Sequence, residues 1–411
     1  MITPIGCGAW RPSALLAAAG MSLLLAGICA ASDHLDSPVA VNNPAADIAD
    51  MYAWTSADGR QLNLIMSIQG HAFSDKLEYI FHIDSGKSFG RTTASTAILC
   101  RFPAANTINC TAGNADSASG DPGKPQGVAG HNHRFRVYAA RRDDPFFNNI
   151  KGLVGSYQVA GAAIQKGATL DAAACPNFDD SAVAAIDDQM QHTEGGPAQN
   201  FLGNWTVSAI VISIDLPLVD KGGRLLAIWG TTSLGGKPLN RMAQPFVKNT
   251  LLGSGPFATD DASGRVRDQF NAATPSTSGQ FVADLEKSLA FQDSLDGKCG
   301  NQILANPRAV SPLRYQQLAA FLANDRLWVN AASTSCTQFF AVELAHLAGR
   351  KDLLQDCGGR TPNYNTSNVF RSLIIAGTTD STSDGLARDE HAPSSTEFPF
   401  LAPPDAHGID H

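Results

Sequence analysis

A series of short, apolar, β-prone segments separated by turn residues constrains the fold of this chain more than any other feature. The segments are rich in Ile, Val, Thr, Tyr and Phe, and Asp58-Gly59 marks a turn directly before the first of them. They occupy residues 62–68, 78–83, 96–102, 106–110, 135–140, 206–216 and 225–232. We therefore expect a mainly β fold, either a sandwich or an irregular barrel-like antiparallel sheet.

The sequence pattern changes after about Arg241. Residues 281–292, 312–323 and 336–354 carry apolar side chains at three- and four-residue spacing, which predicts helices packed on the sheet. Residues 370–376 return to strand-like composition, so we expect the end of the chain to rejoin the sheet. A single β-rich domain over 32–411 with a helical insertion at about 280–356 accounts for this order, although the length alone also permits two domains.

The first 31 residues have the order of a secretory signal peptide. Arg11 precedes an apolar run and small residues follow it, which predicts cleavage after Ala30 or Ala31. The run is too short for a transmembrane helix. Cys29 leaves a lipoprotein signal as the alternative, but Ile28 stands where that signal has Gly or Ala. The sequence therefore favours a periplasmic or secreted bacterial protein over a lipid-anchored one.

The mature chain is acidic. The full sequence has 30 Lys and Arg against 38 Asp and Glu, and residues 1–31 contain one Arg and no acid, so the formal charge falls from −8 to −9 on cleavage. No run of Lys or Arg is present, which argues against binding to nucleic acid or to an anionic membrane. The 37 Gly, 22 Pro and 17% charged residues are typical of a loop-rich globular protein.

Six cysteines remain after removal of Cys7 and Cys29 with the signal. An even number in an oxidising compartment predicts three disulfides, although six cysteines allow 15 pairings. Cys100 and Cys110 flank a turn and would face each other across a hairpin, and Cys336 and Cys357 would bracket a helix, which leaves Cys175 with Cys299. No CxxC motif or Cys/His cluster supports a zinc or redox site.

A dense polar segment opens the mature chain at residues 32–54. In one interpretation the side chains of His34, Asp36, Asp47 and Asp50 converge on a hard cation such as calcium, which takes oxygen ligands. In the other they are caps and turns, because Asn43-Pro44 is a good helix start and would place Asp47 and Asp50 on one short helical turn. The spacing matches no named metal motif. Both interpretations stay open.

A second acidic pair, Asp143-Asp144, follows a predicted strand and precedes Phe146-Phe147. These carboxylates would complete a site for calcium or another divalent cation, with the aromatic rings excluding water. The alternative is a turn at Asp144-Pro145 above core phenylalanines. An acidic pair beside buried aromatics needs a partner if it is itself buried.

Histidines give weaker signals. His131 and His133 follow the Gly-rich segment 113–130, which we expect to be an exposed loop. On a strand, both imidazoles would lie on one face. They would then form half of a metal site, or simply a solvated strand start. His82 and Asp84 would share a strand face as an acid/base pair. The chain has no GxSxG, Walker or dinucleotide-binding motif, which lowers the expectation of the common enzyme classes.

Five segments, taken in order, carry a resemblance to a known family. They are DHLDSP at 33–38, DIADMYAW at 47–54, RDDPFF at 142–147, RMAQP at 241–245 and FPFLAPP at 398–404. As a set they resemble the exported bacterial domain-of-unknown-function family 4331, whose members open with a His-Arg-Glu-Ala-Pro-like segment and an Asp-x-x-Asp-x-Tyr-Ala-Phe motif. Here Leu35-Asp36 replaces Arg-Glu and Trp54 replaces Phe. The resemblance implies export and one extended domain, and no reaction.

Three functions follow as hypotheses. The first is an extracytoplasmic binding or structural protein whose N-terminal segment is held to the sheet by a divalent cation. The second is a hydrolase-type enzyme that uses His34 or His82 with a nearby Asp. The third is an interaction module that docks an envelope protein. The partner would be an unknown small ligand or an envelope protein.

Overall fold

The computed structural model describes residues 35–253, 261–310 and 313–404. Within these ranges, fourteen strands form two large open sheets and one short hairpin. The strands are β1 Ile48–Thr55, β2 Gln61–Ile68, β3 Leu77–Gly86, β4 Ala94–Ala104, β5 Thr107–Ala112, β6 Asp116–Gly120, β7 Val128–Ala129, β8 Phe135–Asp143, β9 His192–Thr193, β10 Gly196–Pro197, β11 Thr206–Asp215, β12 Leu225–Leu234, β13 Lys237–Met242 and β14 Leu327–Asn330.

The two large sheets pack face to face as a sandwich-like arrangement. The first has the order β1-β2-β11-β8-β7, the second has the order β13-β12-β3-β4-β5-β6, and β14 also pairs with β12. All the strand pairs in the described part of the chain are antiparallel. Met51 and Met66 of the first sheet lie so close to Gly230 of the second that a Cβ there would clash with both. The mainly β prediction is therefore confirmed, in its sandwich form.

Nine α-helices surround the sandwich in the described part of the chain. They are α1 Pro38–Asn42, α2 Ile150–Gln165, α3 Asp180–Gln191, α4 Leu216–Val219, α5 Asp261–Ala272, α6 Val282–Asp293, α7 Gln316–Asn324, α8 Ala341–Leu347 and α9 Thr366–Ala376. Short 3-10 turns lie at Pro44–Ala46, Ser278–Phe281, Ser294–Asp296 and Lys351–Leu353, and a π-helix lies at Val247–Leu251. No described helix is both long and apolar enough to cross a membrane.

Three local predictions were wrong. Residues 370–376 belong to helix α9, where Asn365 caps the N-terminus by accepting a hydrogen bond from the Asn368 amide and Gly377 ends the helix in the left-handed region. The Gly-rich segment 113–130 contains strands β6 and β7. A short 3-10 helix does begin at Asn43-Pro44, but Asp47 ends it and Asp50 lies in β1, so these two acids do not share a helical turn. In β1, β6 and β7, pairing with a neighbouring strand outweighed local composition.

Three disulfides join the expected pairs, Cys100–Cys110, Cys175–Cys299 and Cys336–Cys357. Cys100 and Cys110 are direct partners in the β4–β5 ladder. Such a framework fits an oxidising, extracytoplasmic compartment.

The C-terminal segment covers the outer face of the first sheet. Trp54 packs edge-on against Phe400 with 4.9 Å between ring centroids, and its indole N–H donates to the Ser395 carbonyl at 2.9 Å. Every residue of β1 is therefore buried, because its opposite face packs in the main core. This covering places residues 389–391 near the end of β8.

Candidate functional site

The first acidic group lies at the start of the described chain. Asp47 accepts hydrogen bonds from the Leu35 amide at 2.6 Å and from the Asn240 side-chain amide at 2.8 Å. Lys248, which is buried, places its Nζ 3.9 Å from Asp36 Oδ2 and 3.4 Å from Asn240 Oδ1. Asp36 and Asp47 thus meet around a lysine.

Arg267 ties the same segment to the helical region. Its guanidinium donates to the carbonyl oxygens of Asp36 at 3.1 Å and of Lys248 at 3.3 Å. The Asp36 carboxylate has no hydrogen-bond partner among the described residues. Burial raises the pKa of Asp36, and it raises the pKa of Asp47 to about 7, while Lys248 opposes both shifts. Lys248 and Arg267 therefore place positive charge beside the buried Asp36 and Asp47.

The second group surrounds Arg360. The guanidinium donates to the Asp50 carboxylate and lies 4.2 Å from the centroid of the Tyr52 ring. Asp144, also buried, accepts from the Phe146 amide at 3.2 Å through Oδ1, whereas its Oδ2 has no hydrogen-bond partner in the described chain. Burial and the neighbouring Asp50 raise the pKa of Asp144 well above its usual value. Arg360 thus provides positive charge to two buried acids, Asp50 and Asp144.

The third group contains the metal-ligand set that the described residues bring together. Asp143, Asp389 and His391 each offer one ligand atom, and these atoms lie within 4.8 Å of one another. His391 Nδ1 is 3.1 Å from Asp143 Oδ1. Asp143 and Asp389 are buried, while the His391 side chain is 39% exposed, so an ion would have access from solvent. We call these three residues the Asp–Asp–His cluster.

A hydrogen-bonded shell orients the cluster. Asn200 donates through its side-chain amide to Asp389 Oδ1 at 3.0 Å and to Glu390 at 2.7 Å. The His391 amide donates to Asp389 Oδ2 at 3.2 Å. The Asp143 amide donates to the Ala402 carbonyl at 3.2 Å, which joins β8 to the C-terminal segment. Such outer contacts fix ligand positions in metal sites.

Like charges crowd the cluster. Burial, followed by the neighbouring Asp389 and Asp144 carboxylates, raises the pKa of Asp143 to about 9. Burial and Glu390 raise the pKa of Asp389 to about 6. Two adjacent buried carboxylates repel each other when both are ionised, and a bound proton or cation relieves this repulsion.

The residues predicted to bind one cation lie in three separate groups in the structure. Asp36 and Asp47 meet at Lys248, Asp50 and Asp144 meet at Arg360, and Asp143 joins Asp389 and His391. His34 lies outside the described residues. Sequence reasoning missed Asp389 and His391, although their two-residue spacing in Asp-Glu-His was the available signal.

The other histidine candidates do not form a catalytic pair or a metal half-site in the described chain. His82 stacks on Trp229 with centroids 3.9 Å apart, its Nε2 is 2.9 Å from Thr231 Oγ1, and burial lowers its pKa to about 4. Asp84 is 3.4 Å from Arg326. His131 and His133 are exposed in a turn before β8, so they do not share a strand face as predicted. That turn wraps the Asp116 carboxylate with backbone amides.

Comparisons of the chain with models of known families, with curated proteins and with solved structures found no match.

Proposed function

We propose that this protein is an extracytoplasmic metal-binding protein whose Asp–Asp–His cluster holds a divalent transition-metal ion such as zinc or manganese. The observation that carries the proposal is the convergence of three ligand atoms within 4.8 Å, with Asp143 and His391 separated by 248 positions in the chain. Calcium takes oxygen ligands, whereas imidazole nitrogen with carboxylates suits transition metals. We therefore propose a transition metal at this cluster, instead of the calcium suggested by the sequence.

Burial and charge support the proposal. Metal ligands must lose their protons to bind, and a divalent ion would offset the burial and the carboxylate repulsion that raise the pKa of Asp143. The nearby Asp144 Oδ2 is buried and has no hydrogen-bond partner in the described chain, so a further acidic oxygen lies beside the cluster.

The proposed role of the ion is structural. Asp143 ends β8, and Asp389 and His391 begin the segment that covers Tyr52 and Trp54 through Phe400. An ion bound to both would close the C-terminal segment onto the first sheet. Metal that binds only the folded state raises the free energy of unfolding by RT ln(1 + [metal]/Kd).

Elemental analysis of natively purified protein and calorimetric titration with zinc, manganese and calcium chlorides test the proposal. We expect a bound transition metal, a lower melting temperature after EDTA treatment, and at least tenfold weaker binding in Asp389→Asn and His391→Gln. His192→Gln is the matched control, since His192 also lies beside an aspartate, Asp188, at 3.3 Å. Metal-free native protein that neither zinc nor manganese stabilises would overturn the proposal.

Periplasmic or secreted localisation accompanies this proposal. The three disulfides support an oxidising compartment. Cell fractionation with mass spectrometry of the mature N-terminus tests it, and a lipid-modified Cys29 would contradict it.

Acid/base catalysis is a second candidate function, of the hydrolase type. Its supporting observation is the separation of the pKa values of Asp143, about 9, and Asp389, about 6, since such pairs provide an acid and a base at one site. A panel of ester, peptide and glycoside substrates should reveal turnover that Asp389→Asn abolishes without unfolding the protein. Absence of turnover across the panel would count against this candidate.

A further inference from the structure

A buried lysine amine contacts a buried carboxamide at the edge of the second sheet. Lys248 lies in the π-helix Val247–Leu251, Asn240 lies in β13, and each residue is 1% exposed. Lys248 Nζ donates a hydrogen bond to Asn240 Oδ1 at 3.4 Å. Since a C=O bond is about 1.23 Å long, the amine nitrogen is at most about 4.6 Å from Asn240 Cγ. The amine therefore needs only a small movement to reach the attack distance of about 3–3.5 Å.

One carboxyl group lies beside each nitrogen of this pair. Asp47 Oδ1 accepts a hydrogen bond from Asn240 Nδ2 at 2.8 Å, and Asp36 Oδ2 is 3.9 Å from Lys248 Nζ. The Asp36 side chain is fully buried, and neither of its oxygens has a hydrogen-bond partner among the described residues. A buried carboxylate without such partners is costly, and a proton taken from the lysine would remove this cost.

Burial favours the neutral forms of both acids. It raises the pKa of Asp36, and it raises the pKa of Asp47 to about 7, although the charge of Lys248 opposes each shift. At neutral pH the acid and carboxylate forms of Asp47 are therefore both populated, which suits a group that gives and takes a proton. Transfer of an ammonium proton from Lys248 to Asp36 leaves a neutral amine, which is the nucleophilic form.

We propose that Lys248 and Asn240 join through an intramolecular isopeptide bond. The Lys248 ammonium gives one proton to the Asp36 carboxylate, and the neutral amine attacks Asn240 Cγ. The Nζ–Cγ bond forms and the Cγ–Nδ2 bond breaks. Asp47 gives its proton to the leaving nitrogen and takes the second proton from the lysine nitrogen, so Asp47 is restored. The products are a secondary amide, a neutral Asp36 and one ammonia, and neither total charge nor oxidation state changes.

The bond would replace a buried ammonium group by a neutral amide and would tie β13 to the π-helix. Its residues are separate from the Asp–Asp–His cluster, so the inference does not depend on the proposed metal. Removal of Lys248 should lower stability whether or not the bond forms, because the lysine charge also offsets the buried Asp36 and Asp47. Mass, and not stability, is therefore the readout.

Intact mass spectrometry of the full mature protein, with its three disulfides counted, tests the proposal. We expect a mass lower than that of the sequence by one ammonia. Trypsin cleaves after Arg241, which lies between Asn240 and Lys248, so the joined residues should appear in one branched peptide. A mass equal to that of the sequence, or a loss of ammonia without the branched peptide, would overturn the proposal. Loss of one water with a branch from Lys248 to Asp36 would also overturn it, because the bond would then lie on another acceptor.

Two variants remove the reacting groups. Lys248→Arg keeps the positive charge without the nucleophilic amine, and Asn240→Leu removes the carboxamide, so each should have the mass of its own sequence. Lys237→Arg, at an exposed position, is the matched control and should still lose one ammonia. Persistence of the loss in Lys248→Arg or Asn240→Leu would contradict the assignment. If either variant fails to fold, the mass and the branched peptide of the native protein still decide it.

Asp47→Asn tests the proton relay. An amide at this position cannot give up a proton as readily as a carboxyl group, so most purified Asp47→Asn chains should remain unjoined, whereas native chains should be fully joined. Asp58→Asn, at an exposed position, should be fully joined. Complete joining in Asp47→Asn would overturn the role assigned to Asp47.

Discussion

Arg360 donates a hydrogen bond to Asp50 across 310 positions of the chain. Both side chains are almost completely buried. The backbone provides the approach, because Ala53 and Arg360 exchange two hydrogen bonds at 3.0 and 2.9 Å. Gly359 permits this contact, since a Cβ at its position would clash with the Ala53 carbonyl oxygen. The C-terminal region is thereby fixed against β1.

Removal of one member of this pair should be costly. Asp50→Ala leaves Arg360 buried without its main acceptor, and we expect a loss of about 3–5 kcal/mol in the free energy of unfolding. Denaturant titration measures it. Asp352→Ala, which breaks the exposed pair with Arg350 at 2.7 Å, should change stability by less than about 1 kcal/mol. Similar losses in both variants would show that burial does not control the effect.

Lys248 should hold the N-terminal segment. Lys248→Met leaves Asp36 and Asp47 without their shared ammonium group, so we expect about 3–5 kcal/mol lower stability and faster hydrogen exchange over residues 35–47. Lys237→Met at an exposed position should change stability by about 0.5 kcal/mol or less. If Lys248→Met is as stable as the native protein, something other than this lysine retains the segment.

The Asp–Asp–His cluster should make the metal-free protein less stable as pH rises. The pKa of Asp143 is about 9 in the folded state, above its unfolded value of about 3.9, so between these values the folded state binds more protons and stability falls with increasing pH. In EDTA, the melting temperature of Asp143→Asn minus that of the native protein should therefore increase by about a few degrees between pH 5 and pH 8.

Asp58→Asn is the control for this pH dependence. Hydrogen bonds from Ser56 and Arg60 lower the pKa of Asp58 to about 2, so neither state titrates at that position above pH 5. Its melting temperature should follow that of the native protein across the range. A pH-independent difference for Asp143→Asn would contradict the assigned protonation.

Disulfide loss should follow loop length. Cys175 and Cys299 are 124 positions apart, and Cys100 and Cys110 are 10 apart. Chain-entropy arguments give about 5 kcal/mol for the first crosslink and about 3 kcal/mol for the second. Paired Cys→Ala substitutions with denaturant titration test this order. A larger loss at Cys100–Cys110 would indicate that enthalpy within the folded hairpin dominates.

The sequence by itself determined most of the long strands and the Cys100–Cys110 crosslink, because both depend on local signals. Alternating apolar residues in segment 78–83 indicate which side faces the core, and Cys100 and Cys110 flank their own turn. It also identified Asp143 as an acid in need of a partner, since an acidic pair next to Phe146 and Phe147 is conspicuous in the primary sequence.

Only the tertiary structure decided which partner each acid receives. Lys248, Arg360 and His391 are far in sequence from Asp36, Asp50 and Asp143, and nothing local specifies a contact across 212 to 310 positions. The same limit explains helix α9, whose Ile- and Leu-rich segment has strand-like composition but is buried as a helix. Long-range packing selects among locally similar alternatives, because the free energy of burial exceeds the small differences in backbone propensity.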